Sequence, residues 1–130
     1  MANTKQVKGA NILNNAFSAN AADFGGDGVS LASTAHPTLT GGNFSNRSAT
    51  DADLNETSLE QAVIDVAAFI DERGLKIALK PMKMIIPSAL QFVADRLMNS
   101  SGRVGTADND INVFNQSGYI PQGYSVNHYL

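Results

Sequence analysis

Cysteine and tryptophan are both absent from this 130-residue chain. Without cysteine there is no disulfide framework, no thiolate nucleophile and no Cys-ligated zinc or iron–sulfur site. Charge is also scarce: Asp, Glu, Lys and Arg make up 16% of the sequence, against about 25% in ordinary soluble domains. Basic residues are outnumbered nine to twelve, for a formal charge of −3. That balance argues against an electrostatically driven nucleic-acid binder, which needs a net basic face. Long hydrophobic runs are missing too. None approaches the ~20 apolar residues of a membrane span, and Met1 to Asn15 lacks the apolar centre of a secretory signal. The expectation is a soluble, intracellular-type protein with no membrane segment.

Hydrophobic residues nevertheless make up 43% of the chain, enough to build a core and to make global disorder a poor reading. The length fits one ordinary domain or part of a larger one. Polarity is carried by asparagine, serine and threonine, a composition suited to extended loops or to contact with other subunits.

The few charges divide the sequence into three parts, with five in residues 1–50, fourteen in 51–103 and two in 104–130. The middle block reads as a conventional amphipathic unit between two polar flanks. At the start, Val7, Ala10, Leu13 (or Ile12) and Phe17 have helical spacing, predicting a helix over residues 4–18 weakened by Gly9. Residues 20–53 read as a long polar loop, punctuated by Gly25-Gly26-Asp27-Gly28, Pro37 and Gly41-Gly42, with at most a short extended piece at 29–32. So long a loop is uncommon inside a compact domain and suggests ordering by a neighbouring chain.

Residues 58–73 carry the clearest helical pattern, with Leu59, Ala62, Val63, Val66 and Ile70 on one stripe. Thr57 and Glu60 have the spacing of a capping box, and Asp53, Glu56 and Glu60 suit the positive end of the helix dipole. Arg73-Gly74 reads as its basic last turn and left-handed cap. Beyond it, Leu75, Ile77 and Leu79 alternate with Lys76, Ala78 and Lys80, predicting a strand over 75–80 limited by Pro81. A second strand is expected at 82–86, a helix at 88–98 on Leu90, Val93, Ala94 and Leu97, a helical turn at 111–114 and a strand at 124–130. The fold class is therefore α+β, amphipathic helices on a short sheet.

Catalytic and ligand motifs are weak. Ser30 or Ser33 with His36 could be imagined as a nucleophilic pair, yet no G-x-S-x-G elbow is present, and a loop histidine bonded to backbone is the simpler reading. Asp108-Asn109-Asp110-Ile111-Asn112 begins like a calcium loop. However, Val113 and Tyr119 stand where glycine and the bidentate acid belong, so turn and helix-cap roles are preferred. Gly25-Gly26-Asp27-Gly28 lacks the lysine and the spacing of a phosphate cradle and reads as a tight turn. Lys76, Lys80 and Lys83 form a modest basic stripe, either a solvated face or the binding edge of a small monomeric module for an acidic ligand. No cofactor and no metal is expected.

The segments in sequence resemble the tailed-phage major capsid, or major head, protein family. The resemblance rests on Asn11-Ile12-Leu13-Asn14-Asn15-Ala16-Phe17, Gly26-Asp27-Gly28-Val29-Ser30-Leu31, Ser33-Thr34-Ala35-His36-Pro37, Ser45-Asn46-Arg47 and Asp53-Leu54-Asn55-Glu56. It continues through residues 87–97, Gly105-Thr106-Ala107-Asp108-Asn109-Asp110-Ile111-Asn112 and Asn127-His128-Tyr129-Leu130. No single piece is diagnostic; their order and spacing are.

The resemblance implies a fragment of the Hong Kong ninety-seven capsid fold. Residues 1–19 would then end the spine helix of a peripheral domain, 20–53 would form a connecting loop, and 54–130 would belong to an axial domain. It implies a non-enzymatic virion protein, assembled in the host bacterial cytoplasm into hexameric and pentameric capsomers that enclose double-stranded DNA without reading its sequence. Scaffold and portal proteins would be further partners. Family members are longer, so the chain is expected to represent part of a shell protein. Arg47, Asp53, Glu56, Glu60, Lys76, Lys80 and Lys83 are the candidate subunit-contact residues, with the acidic group facing the lysines of a neighbour.

Overall fold

The computed structural model describes residues 2–103, 107 and 110–130, and it is a mixed α+β structure. Its chain forms two compact units that do not follow the three-part division of the charges. One contains Met1–Asp51, Ala68–Ala78 and Tyr129–Leu130; the other contains Ala52–Ala67 and Leu79–His128.

The first unit begins with α1 (Ala2–Asn14). This helix stops four residues before the expected end at 18. Past it, Ala16 N bonds to Leu13 O and Ser18 N to Asn15 O, the shorter reach of turns. The Asp23 carboxylate accepts from Asn15 Nδ2 at 3.2 Å and from Ser18 Oγ at 2.9 Å. That competing polar network offers the backbone an alternative to continued helix. Of the apolar stripe, only Ala10 is buried, while Val7, Leu13 and Phe17 are exposed.

The region read as a loop holds a small hairpin, β1 (His36–Pro37) against β2 (Asn43–Phe44), with His36 opposite Phe44. Its turn is closed by Thr38 N to Gly42 O at 2.9 Å, with Gly41 at φ +85°, a conformation that favours glycine. The stretch 29–32 forms no strand. Residues 69–77 supply a second, tighter hairpin. Asp71 N donates to Leu75 O and Ile77 N to Phe69 O, and Ile70 bridges to Lys76. Phe44 and Phe69 then meet edge to face, ring centroids 5.2 Å apart and planes at 89°, a favoured aromatic geometry.

This second hairpin corrects two expectations at once. The helix predicted over 58–73 ends at Ala67, and the strand predicted over 75–80 is only the Ile70–Lys76 bridge. The physical cause is Asp71. Its Oδ1 accepts from the amides of Arg73 and Leu75 at 2.8 and 2.9 Å, an Asx-type turn that reverses the chain. Gly74 is left-handed as expected, φ +84°, but in that reversal rather than as a helix cap. Ala78, at φ +50°, breaks any extended path onward, and Pro81 has no amide to donate.

The second unit contains α2 (Glu56–Ala67), β3 (Met84–Pro87), α3 (Gln91–Asn99), α4 (Val113–Ser117) and β4 (Tyr124–Asn127). Helix α2 starts with Asn55 as its cap. Asn55 Oδ1 accepts from Ser58 N at 2.9 Å and Ser58 Oγ accepts from Asn55 N at 3.0 Å. The reciprocal box is therefore Asn55–Ser58, two residues before the Thr57–Glu60 pair. A short 3-10 turn, Ser88–Leu90, leads into α3, on which Ala94, Leu97 and Met98 form the buried face.

Strands β3 and β4 pair in parallel, with Met84 opposite Tyr124 and Pro87 opposite Asn127. A parallel pair requires a crossover, which α3 and α4 provide. Both strands are shorter than the spans 82–86 and 124–130 together suggest, and β4 ends at Asn127. Alternation places Ile86 inside, 3% exposed, and Ile85 outside, 53% exposed. Leu59, Met98, Phe114 and Ile120 form the core, flanked by Leu54, Val63, Met84 and Tyr124. Each such side chain fully buried is worth about 1.5–3 kcal/mol.

Candidate functional site

In the first unit, polar side chains converge on His36. The turn at Gly25 to Val29 is closed by Gly25 N to Val29 O at 2.9 Å, with Gly28 at φ +79°. This is the tight turn that its glycines suggest. It presents Asp27, whose Oδ2 lies 2.5 Å from His36 Nδ1. On the other side of the ring, His36 Nε2 lies 3.1 Å from Asn46 Oδ1. Asn46 is itself fixed, its Oδ1 accepting from Ser33 N at 2.8 Å and its Nδ2 donating to Leu31 O at 2.7 Å. The imidazole thus ties together the Asp27 turn, the 31–33 segment and the residue pair following β2.

Electrostatics follow from those contacts. The Asp27 hydrogen bond raises His36 above the ordinary histidine value of 6.5, with Asn46 adding in the same direction against the cost of burial. The same bond holds the Asp27 carboxyl below 3.8. Both ring nitrogens are engaged, and neither partner is a serine. Ser33 Oγ accepts from Ala35 N, and Ser30 Oγ donates to Ala32 O. The imagined Ser/His pair is not formed, and the histidine bonds to side chains rather than to backbone alone.

The candidate contact residues are distributed over both units. Arg47 donates through Nη2 to both carboxylate oxygens of Asp51, at 3.1 and 2.8 Å, and lies over the Phe17 ring at 4.8 Å. Lys76 is exposed in the 69–77 hairpin. In the second unit, Glu56 is half-buried and accepts from Arg103 Nε at 2.7 Å. That bond raises the Arg103 guanidinium further above its ordinary value. Asp53 contributes its carbonyl to Ser58 Oγ at 2.7 Å, and Glu60, Lys80 and Lys83 are exposed. Arg47 and Glu56 are thus occupied within their own units, while Glu60, Lys76, Lys80 and Lys83 face solvent.

The run that begins like a calcium loop partly lies outside the described residues, at Asp108 and Asn109. Its last member, Asn112, is 4% exposed and caps α4 by accepting from Phe114 N at 3.1 Å. Its Nδ2 donates to Leu97 O and to Ser100 O, each at 2.8 Å. Among the described residues no group of His, Asp or Glu is arranged to hold a metal ion. No described helix is long and apolar enough to cross a membrane.

The other surface feature is apolar. Among the described residues seventeen large hydrophobic side chains are exposed, whereas eight hydrophobic residues are buried. In the second unit the exposed group includes Leu79, Met82, Ile85 and Phe92, the last at 74%. A shallow depression beside the start of α2 is lined by Leu54, Glu56, Thr57, Val93, Arg96 and Leu97.

Comparison with protein-family models, with curated proteins and with solved structures finds no match to this chain.

Proposed function

We propose that this chain acts as a self-associating structural protein. More particularly, we propose a subunit of the tailed-phage major capsid class, built into hexameric and pentameric capsomers around double-stranded DNA, with no catalytic role. The observation that carries the reading is the excess of exposed over buried apolar side chains. Isolated surface hydrophobics are ordinary; here they outnumber the buried ones, and contact with other copies would remove that apolar area from water. Low charge and abundant short polar side chains suit contacts repeated between copies, closed into rings by heterologous interfaces. The resemblance of the ordered segments to capsid proteins supplies the particular class.

Light scattering on the purified chain across a concentration series tests the first step. Mass rising with concentration, or rings in negative-stain images, supports it; a monomer at every concentration overturns self-association. Phe92→Glu is expected to weaken association with little loss of stability, because that side chain is 74% exposed. Reversing Lys80 and Lys83 to Glu tests whether charge complementarity contributes, and unchanged association would remove those residues from the contact set.

A further inference from the structure

With Asp27 ionised, the two side chains that contact His36 leave the imidazole a single protonation state that satisfies both. Asn46 cannot be turned to offer its amide nitrogen to the ring. Its Nδ2 is required as donor to the Leu31 carbonyl, and its Oδ1 as acceptor for the Ser33 amide. The atom facing His36 Nε2 is therefore an acceptor, so Nε2 carries a proton. The atom facing Nδ1 is a carboxylate oxygen of Asp27, so Nδ1 carries one as well. Beside an ionised Asp27, a neutral ring of either tautomer would set a nitrogen lone pair against an oxygen lone pair at one end.

We propose that Asp27, His36 and Asn46 form a proton-dependent clasp that holds the Gly25–Val29 turn, the 31–33 segment and the β1–β2 hairpin in one arrangement and opens from opposite ends in base and in acid. In base, the proton is lost from Nε2, because Nδ1–H is kept by the charge-assisted bond to Asp27. Asn46 Oδ1 is then repelled, and the two backbone bonds that Asn46 makes to Leu31 and Ser33 are released with it. In acid, Asp27 takes up a proton, the ion pair is lost, and the turn end loosens while the Asn46 end keeps its donor.

Among the described residues, Asp27 on the turn side is the charged group that acts on the ring, and the Leu31 carbonyl of the 31–33 segment adds a neutral acceptor. Beyond β2 the neighbouring Arg47 directs its guanidinium to Asp51 and to the Phe17 face. The directions in which His36 and Asp27 are displaced from their ordinary values, up and down respectively, agree with the clasp. This inference concerns the folded chain itself and stands whether or not the shell reading does.

The test is nitrogen-15 NMR of the imidazole against pH in His128→Gln, which leaves His36 as the sole histidine. The expected result is a ring protonated on both nitrogens at pH 6 and titrating above 6.5, with the Ser33 amide signal moving along the same curve. Asp27→Asn should lower the titration point. Asn46→Ala should uncouple Ser33 from it while Asp27 still holds Nδ1. A neutral ring at pH 6, or a Ser33 amide that ignores the histidine titration, overturns the proposal. Both can be read without the clasp variants, so a misfolded Asn46→Ala would not obscure the answer.

Discussion

Asn112 reaches the carbonyl oxygen of Leu97 at 2.8 Å, joining the last turn of α3 to the first residue before α4. The same nitrogen serves Ser100, and the oxygen beside it caps α4 through Phe114 N. One buried amide thus answers two orphan carbonyls and one orphan amide of adjoining helix ends.

Replacing Asn112 by Ala is therefore expected to destabilise the second unit by about 2–3 kcal/mol, more than an exposed cap would, because buried groups lose their partners. Asn112→Asp should be at least as damaging, since it sets a carboxylate against two carbonyls. Urea midpoints at constant slope would check both. A loss no larger than that of an ordinary surface substitution would contradict the arrangement.

The cap of α2 offers a comparison within one helix. Asn55→Ala should cost about 1 kcal/mol, whereas Thr57→Ala should cost only a few tenths of that, because Thr57 lies inside the helix and is exposed. Equal effects in thermal melts would argue for the frame beginning at Thr57.

Ala78 is the one described non-glycine residue with positive φ, +50°. L-residues with a Cβ are disfavoured there by about 1 kcal/mol or more. Ala78→Gly should be neutral or stabilising by up to about 1 kcal/mol, and Ala78→Val should destabilise by about 1–2 kcal/mol. Chemical denaturation of the pair would show the opposite signs.

For the Asp27–His36 pair the signs of the two displacements define a window. A histidine raised above 6.5 adds stability that is complete below 6.5 and lost as pH climbs through its folded value. A carboxyl held below 3.8 adds stability that is complete above 3.8 and lost as pH falls through its folded value. The gap in urea midpoint between the native chain and Asp27→Asn should be widest between 3.8 and 6.5 and close on both sides.

Local periodicity was a good guide where burial is one-sided. Leu90, Val93, Ala94 and Leu97 announce α3, and its buried face falls on Ala94 and Leu97. The start of α2 was displaced because Asn55 and Ser58 cap as well as Thr57 and Glu60 do on paper. Its end falls short of the pattern because the apolar stripe continues through Ile70 while the helix stops at Ala67. Asp71 takes the backbone amides first, and hydropathy cannot register a side chain competing for hydrogen bonds. The histidine cluster was hidden for a related reason. Asp27, His36 and Asn46 occupy three separate turns or strand ends, where no repeat relates them. Nor could alternation alone reveal that β3 and β4 are mates, since it records which face is buried and not which strand lies alongside.

That parallel pairing bears on how the chain is made. Strand β3 leaves the ribosome with Ile85 and Ile86 exposed on both sides and no partner, and it must wait through the whole of α3 and α4 before β4 is synthesised. Local helices close in microseconds, but this contact carries the entropy of a long closed loop and comes last. During translation the half-made second unit is thus an unpaired, sticky strand next to a finished helix. An apolar strand without its partner is the kind of transiently exposed edge that favours unintended association.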